Sequence, residues 1–116
     1  MKRVVITGMS LVSSLGNTPN DAFERLHTYE NCVDYQSGLD QYEKLTTRLA
    51  ARVKNFTKPE HFTRKITRSM GTVAIYATAC TEEALKDAGL LNDEIITSGK
   101  TGVSYGSSSG SLDAIM

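Results

Sequence analysis

The sequence predicts an α/β fold with parallel central strands and crossover helices, and three observations support this prediction. Residues 4–6 form a short run of β-branched residues, which is typical of a strand buried on both faces. Apolar residues then recur at three- and four-residue spacings from 66 to 88, which predicts helices. Residues 101–105 predict a second strand, and a strand, helices, strand order makes a parallel pair with a right-handed crossover the default.

Local signals define the first half of the chain. The run Asn17-Thr18-Pro19-Asn20-Asp21 supplies candidates for the N-cap and the first residue of a short helix, which is predicted to end near His27. Residues 28–46 are polar with scattered tyrosines, so we predict an excursion over the surface. Loose alternation over residues 47–53 predicts a short edge strand.

The second half has clearer helix boundaries. Thr63 is a plausible N-cap for the apolar stripe. Gly71 inside that stripe costs about 1 kcal/mol relative to alanine, which predicts a break between two helices there. Gly89 followed by Leu90 predicts a Schellman ending.

Composition excludes several classes of protein. The 13 basic and 13 acidic residues balance, so no general affinity for nucleic acid or membrane is expected. Cys32 and Cys80 are too few for a disulfide framework or a zinc site, and we expect no metal. The first residues lack a signal-peptide pattern, and no apolar run approaches the ~20 residues of a membrane helix. We therefore expect a soluble cytoplasmic protein.

The opening motif distinguishes two families. The short-chain dehydrogenases begin with a strand and then Thr-Gly-x-x-x-Gly-x-Gly, whose glycines let the backbone approach a pyrophosphate. Here Val12 and Ser14 occupy the positions of the second and third of those glycines. The run Val-Val-Ile-Thr-Gly-Met-Ser-Leu-Val-Ser-Ser-Leu-Gly instead closely resembles the opening of the β-ketoacyl-acyl-carrier-protein synthases, the condensing enzymes of fatty-acid and polyketide assembly.

This resemblance implies a particular domain organisation. The family has a thiolase-like fold of two similar α/β halves in a chain several times longer than 116 residues. Residues 1–116 would be the N-terminal part of the first half, truncated before the nucleophile and without a second domain. The resemblance also implies a homodimer that needs no cofactor, because its substrates are carried on the phosphopantetheine of acyl carrier protein.

We expect no catalytic residue within the chain. Cys80 stands in an Ala-Cys context similar to that of the family nucleophile, but it lies inside the helical stripe and no glycine follows. The nucleophile of the family instead stands at a tight turn at a helix N-terminus. Cys32 has no catalytic precedent in the family, and neither His27 nor His61 matches the two downstream histidines of the family.

Two segments match functional motifs of the family. The resemblance assigns Lys65 and Arg68, beside Arg64, to docking of the acidic acyl carrier protein, although helical periodicity alone favours a solvated face. It also assigns the glycine–serine loop to the approach to the acyl pocket. The loop residues are Gly106, Ser107, Ser108, Ser109 and Gly110.

Two alternatives to an active synthase remain open from the sequence. One is a non-catalytic partner of a synthase, of the kind that determines chain length in polyketide complexes. The other is an NAD(P)-dependent short-chain dehydrogenase, which Val12 and Ser14 disfavour. Residues beyond Met116 would distinguish the first alternative from an active enzyme, since they would contain or lack the cysteine and the two histidines.

Overall fold

The computed structural model describes residues 2–111 and contains three α-helices. These are α1 (Pro19–His27), α2 (Arg64–Thr67) and α3 (Thr72–Asp87). Two short strands, β1 (Asp34–Tyr35) and β2 (Leu49–Ala50), pair antiparallel, with Asp34 opposite Ala50. Short 3₁₀ helices cover Ser37–Leu39 and Glu94–Ile96. No helix in the described residues is long and apolar enough to cross a membrane.

The chain divides into two compact units. The first comprises Met1–Ser10 with Thr57–Met116, and the second comprises Leu11–Phe56. The second unit holds α1, whose N-cap Thr18 accepts a hydrogen bond from the Asp21 N–H. It also holds the β1–β2 pair, so the predicted edge strand in residues 47–53 is confirmed over two residues.

The first unit is built on α3. Its predicted start is confirmed, because Gly71 is the N-cap of α3 and separates it from α2. Its predicted end is confirmed as well. Gly89 has φ +69°, and the N–H groups of Leu90 and Gly89 donate to the carbonyls of Leu85 and Lys86 at 2.8 and 3.0 Å. These two bonds define a Schellman motif.

The two predicted central strands are not formed. Residues 4–6 and 101–105 have no strand assignment, and Val4, Val5 and Ile6 are 95, 74 and 80% exposed. A strand requires a neighbouring chain to satisfy its N–H and C=O groups, and the described residues place none beside these segments. The sheet found within residues 2–111 is antiparallel and lies elsewhere, so the described residues do not show the predicted parallel pair.

The N-terminal segment nevertheless has a fixed attachment to α3. The Met9 N–H donates to the Asp87 carboxylate at 2.9 Å. A Cβ at Gly8 would lie 2.2 Å from the Ala84 carbonyl oxygen and 2.7 Å from the Ala88 nitrogen. Gly8 is therefore required for close approach to the helix, a role that the sequence did not reveal.

The opening loop does not form an anion cradle. Ser13 and Gly16 exchange backbone hydrogen bonds of 2.9 and 3.3 Å, and the Leu15 N–H donates to Ser13 Oγ at 3.2 Å. Because the loop uses these N–H groups internally, they are not directed at a phosphate. This geometry disfavours the dehydrogenase alternative further.

Candidate functional site

The first element of the candidate site is the basic segment, defined here as Arg64, Lys65 and Arg68. Thr63 precedes this segment in an extended conformation and begins α2, as predicted, although it makes no side-chain cap. All three basic side chains are exposed. None takes part in an ion pair found within residues 2–111. Lys65 and Arg68 are three residues apart on helical backbone, which places them on one face.

The opposite side of α2 is less buried than the periodicity predicts. Ile66 is 54% exposed, whereas Met70 is half-buried. The buried apolar side chain of this region is Phe62, which is only 6% exposed and lies just before α2. The basic segment therefore lies on the surface, and the buried side chain of Phe62 lies close to it in sequence.

The second element is a cavity of about 460 Å³ between α3 and the segment that includes the glycine–serine loop. Gly71, Val73, Ala74, Ala77 and Thr78 form one wall. The other wall is formed by Tyr105, Gly106, Ser107, Gly110 and Ser111. Gly106, Ser107 and Gly110 therefore lie on a cavity, while Ser108 and Ser109 are exposed and do not line it.

Hydroxyl groups form hydrogen bonds within the glycine–serine loop and between α3 and the residues on either side of the loop. The Gly110 N–H donates to Ser107 Oγ at 2.9 Å, and Gly110 adopts φ +61°, where glycine is favoured. The Val73 N–H donates to Ser111 Oγ at 2.9 Å. Tyr105 and Thr81 are joined through their hydroxyl groups. Sequence reasoning missed the contacts of Tyr105 and Ser111 because they join distant parts of the chain.

A second cavity of about 530 Å³ lies along α3 and includes His61 and Glu82. His61 Nε2 is 2.7 Å from Glu82 Oε2, and the histidine side chain is 59% exposed. An exposed pair of this kind contributes roughly 0–1 kcal/mol to stability. His61 therefore has a partner on α3, and the expectation that it is not catalytic stays a prediction.

The cysteines occupy structural positions. Cys80 is half-buried in the middle of α3, as predicted, and far from either helix end. Cys32 has φ +54°, and its Sγ accepts a hydrogen bond from Arg25 Nη1 at 3.2 Å. This hydrogen bond, together with the Glu30 carboxylate, raises the pKa of Arg25.

The position of His27 is explained by local contacts within α1. His27 lies in the last turn of α1, where a cation is favourable, and its ring packs edge-on against Phe23 at 4.6 Å between centroids. Within the described part of the chain, no group of three or more His, Cys, Asp or Glu residues could hold a metal ion.

The described residues thus present exposed cations on α2 and a largely apolar cavity with a glycine–serine wall. The family model described as "Beta-ketoacyl synthase, N-terminal domain" matches residues 1–115. The chain therefore belongs to the β-ketoacyl synthase family.

Curated relatives and a solved structure agree with this assignment. The chain is 36% identical to 3-oxoacyl-[acyl-carrier-protein] synthase 2 of Staphylococcus aureus (strain N315) over 97% of this chain. It is 32% identical to 3-oxoacyl-[acyl-carrier-protein] synthase 1 of Haemophilus influenzae over 96% of this chain. A β-ketoacyl synthase from Burkholderia phymatum STM815 is 49% identical, with a TM-score of 0.86 over 96% of this chain. The chain spans only 27% of the length of each of these proteins.

Proposed function

We propose that the full-length protein containing this chain is a 3-oxoacyl-[acyl-carrier-protein] synthase of fatty-acid or polyketide-like biosynthesis. The observation that carries the proposal is the match of the synthase family model to residues 1–115. The names of the curated relatives support it. By the same resemblance, the protein would be a cytoplasmic homodimer that works without a cofactor and receives its substrates from acyl carrier protein.

The proposed reaction has two bond-making steps. An acyl group is first transferred from its carrier to a cysteine thiolate, which forms an enzyme thioester and releases the carrier thiol. Malonyl thioester then loses CO₂, and its enolate carbon attacks the acyl carbonyl. The new C–C bond forms as the C–S bond to the enzyme breaks, and the cysteine leaves as thiolate. Two histidines would stabilise the enolate.

Residues 1–116 would not supply these groups. Cys80 lies mid-helix, away from the helix N-terminus that would favour its thiolate. Cys32 accepts a hydrogen bond from Arg25 and is tied to the turn that follows α1. The contribution of this chain would instead be to bind the carrier and to shape the path of the acyl chain.

The activity is tested with the full-length protein, malonyl carrier protein and an acyl carrier protein. We expect release of CO₂ and a 3-oxoacyl carrier product two carbons longer than the acyl substrate, both measured by mass spectrometry. A full-length protein that has the Ala-Cys-x-x-Gly turn and both histidines but gives neither product would refute the proposal. If the cysteine is replaced, the non-catalytic chain-length partner becomes the correct interpretation.

We further propose that Arg64, Lys65 and Arg68 dock acyl carrier protein. All three are exposed cations without an ion-pair partner in the described residues, so an acidic helix could approach them without displacing an internal contact. Exposed charges of this kind mainly accelerate encounter, and salt screens them over about 10 Å at 0.1 M.

The docking proposal is tested by reversing two charges, Lys65→Glu with Arg68→Glu, in the full-length protein. We expect kcat/KM for carrier-bound substrate to fall by about tenfold or more at low salt, because like charges then face each other in the interface. The rate with a small acyl-CoA should change little. A matched control is Lys58→Glu with Lys100→Glu, which changes the net charge equally at two other exposed positions. Equal losses in both double variants would indicate a general charge effect and contradict docking at this segment.

A further inference from the structure

Helix α2 carries the basic segment but contains no buried residue. Within residues 63–69 every residue is exposed except Thr67, which is half-buried. Every hydrogen bond found for residues 62–70 in the described part of the chain joins residues at most four positions apart. A single turn of helix has little stability of its own, so the direction of α2 depends on what holds its two ends.

The C-terminal end of α2 is joined to α3 by a short connection. The Met70 N–H donates to the Thr67 carbonyl at 2.9 Å, and Gly71 follows in an extended conformation as the N-cap of α3. Glycine restricts the backbone less than any other residue. This junction alone leaves α2 free to rotate relative to α3, unless a second contact holds the other end.

The second contact lies just before α2. His61 Nε2 is 2.7 Å from Glu82 Oε2, across 21 residues of sequence. The His61 ring packs edge-on against the ring of the buried Phe62, with 4.8 Å between centroids, which orients the imidazole. Glu82 belongs to α3 and lies about 15 Å along that helix from Gly71, at roughly 1.5 Å per residue. Residues 61–71 are therefore attached to α3 at both ends.

Neighbouring charges do not compete for Glu82. Its side chain is only 28% exposed. The adjacent carboxylate, Glu83, pairs with Lys86 at 3.6 Å. No ion pair found within residues 2–111 joins Glu82 to a residue other than His61. The pair is therefore a defined contact rather than one of several interchangeable ones.

From this arrangement we propose that the His61–Glu82 pair is a positioning contact that holds α2 at a fixed angle to α3 and thereby presents Lys65 and Arg68 together to acyl carrier protein. The inference rests on the proposed docking function of the basic segment. Neither His61 nor Glu82 needs to touch the carrier, because each acts through the helix that the pair holds.

The test uses Glu82→Ala in the full-length synthase, which removes the carboxylate and leaves His61 against Phe62. If the pair positions α2, KM for carrier-bound substrate should rise by about two- to fivefold, the effect of one exposed pair, while kcat stays unchanged. A direct electrostatic effect has the opposite sign, because removing a negative charge from the synthase favours an acidic carrier and lowers KM. The direction of the change therefore separates the two explanations.

Conservative variants and a neighbouring carboxylate provide the controls. Glu82→Gln keeps an oxygen acceptor and His61→Gln keeps an N–H donor, so both should retain the wild-type KM. Glu83→Ala removes the same charge from the next residue of α3 and should not raise KM. His61→Ala should raise KM as Glu82→Ala does. The double variant should not exceed His61→Ala, since the two residues share one contact.

Coupling to the basic segment is tested in a Lys65→Ala, Arg68→Ala background. Glu82→Ala should give no further rise in KM there, because the charges that the pair positions have been removed. A rise of the same size in both backgrounds would show that Glu82 acts independently of the basic segment and would overturn the inference. A KM that already ignores the loss of Lys65 and Arg68 refutes the docking proposal and this inference with it.

Amide hydrogen exchange gives a readout that does not depend on turnover. The Ile66 and Thr67 N–H groups each donate to the Thr63 carbonyl at 3.0 Å. Glu82→Ala should speed their exchange about two- to fivefold, whereas Glu83→Ala should not. A protein that condenses nothing refutes the proposed function. An active synthase whose KM for carrier-bound substrate rises in neither Glu82→Ala nor His61→Ala refutes only this inference.

Discussion

At the scale of single residues, Gly8 shows how a close contact depends on a missing side chain. The atoms that a Cβ would meet, the Ala84 oxygen and the Ala88 nitrogen, belong to the backbone of α3 and its cap. They cannot move aside as the end of a flexible side chain could, so the N-terminal segment would have to shift. Such a shift would also disturb the hydrogen bond from the Met9 N–H to Asp87.

We therefore predict that Gly8→Ala destabilises the full-length protein by about 1–3 kcal/mol, the usual cost of overpacking. Gly38→Ala is the matched control, because a Cβ there meets nothing within 4 Å. Urea unfolding of both variants measures the difference in the free energy of unfolding. Equal free energies of unfolding for Gly8→Ala and Gly38→Ala would show that the N-terminal segment around Gly8 packs against α3 differently in the complete protein.

At the scale of elements, the end of α3 depends on the backbone conformation of one glycine. Gly89 has φ +69° and open space around its Cα. An alanine there would meet no clash, and its cost would come from the left-handed conformation itself. The Schellman bonds of Leu90 and Gly89 require that conformation.

Gly89→Ala should lower the free energy of unfolding by about 1–2 kcal/mol. Gly102→Ala serves as the control, since Gly102 also has open space but no positive φ. Thermal or urea unfolding of the full-length variants gives the comparison. A loss in Gly102→Ala as large as that in Gly89→Ala would contradict the backbone explanation.

Sequence reasoning succeeded where the determinants are local. Thr18, Gly71 and Gly89 mark helix boundaries through neighbours a few residues away, and all three boundaries are confirmed. The strands predicted at residues 4–6 and 101–105 are not seen in the described residues, because a strand depends on partners distant in sequence. The same limit applies to the site. Helical spacing predicted that the basic segment is exposed, whereas the hydrogen bond between Val73 and Ser111 joins residues that are 38 positions apart in the sequence.

At the scale of the whole molecule, the chain buries little apolar surface. The buried apolar residues within residues 2–111 are Ala22, Phe62 and Ala79. The chain exposes 9925 Å², whereas a folded monomer of 12.7 kDa is expected to expose about 6,200 Å². The hydrophobic contribution to folding is correspondingly small.

We predict that an isolated 1–116 polypeptide shows no cooperative thermal transition as a monomer and no condensing activity. Calorimetry and a malonyl decarboxylation assay on the purified polypeptide test the two parts. A sharp monomeric transition would mean that the core is larger than these residues indicate. Decarboxylation that disappears in Cys80→Ser would contradict the assignment of that thiol to the interior of α3.

The exposed apolar segment at residues 4–6 also has a consequence during protein synthesis. In a full-length synthase these residues leave the ribosome before the later strands that could pair with them have been made. At about 5–20 residues per second, every further hundred residues takes about 5–20 s. For that time Val4, Val5 and Ile6 remain an open β-prone edge on a nascent chain, which is a hazard for aggregation.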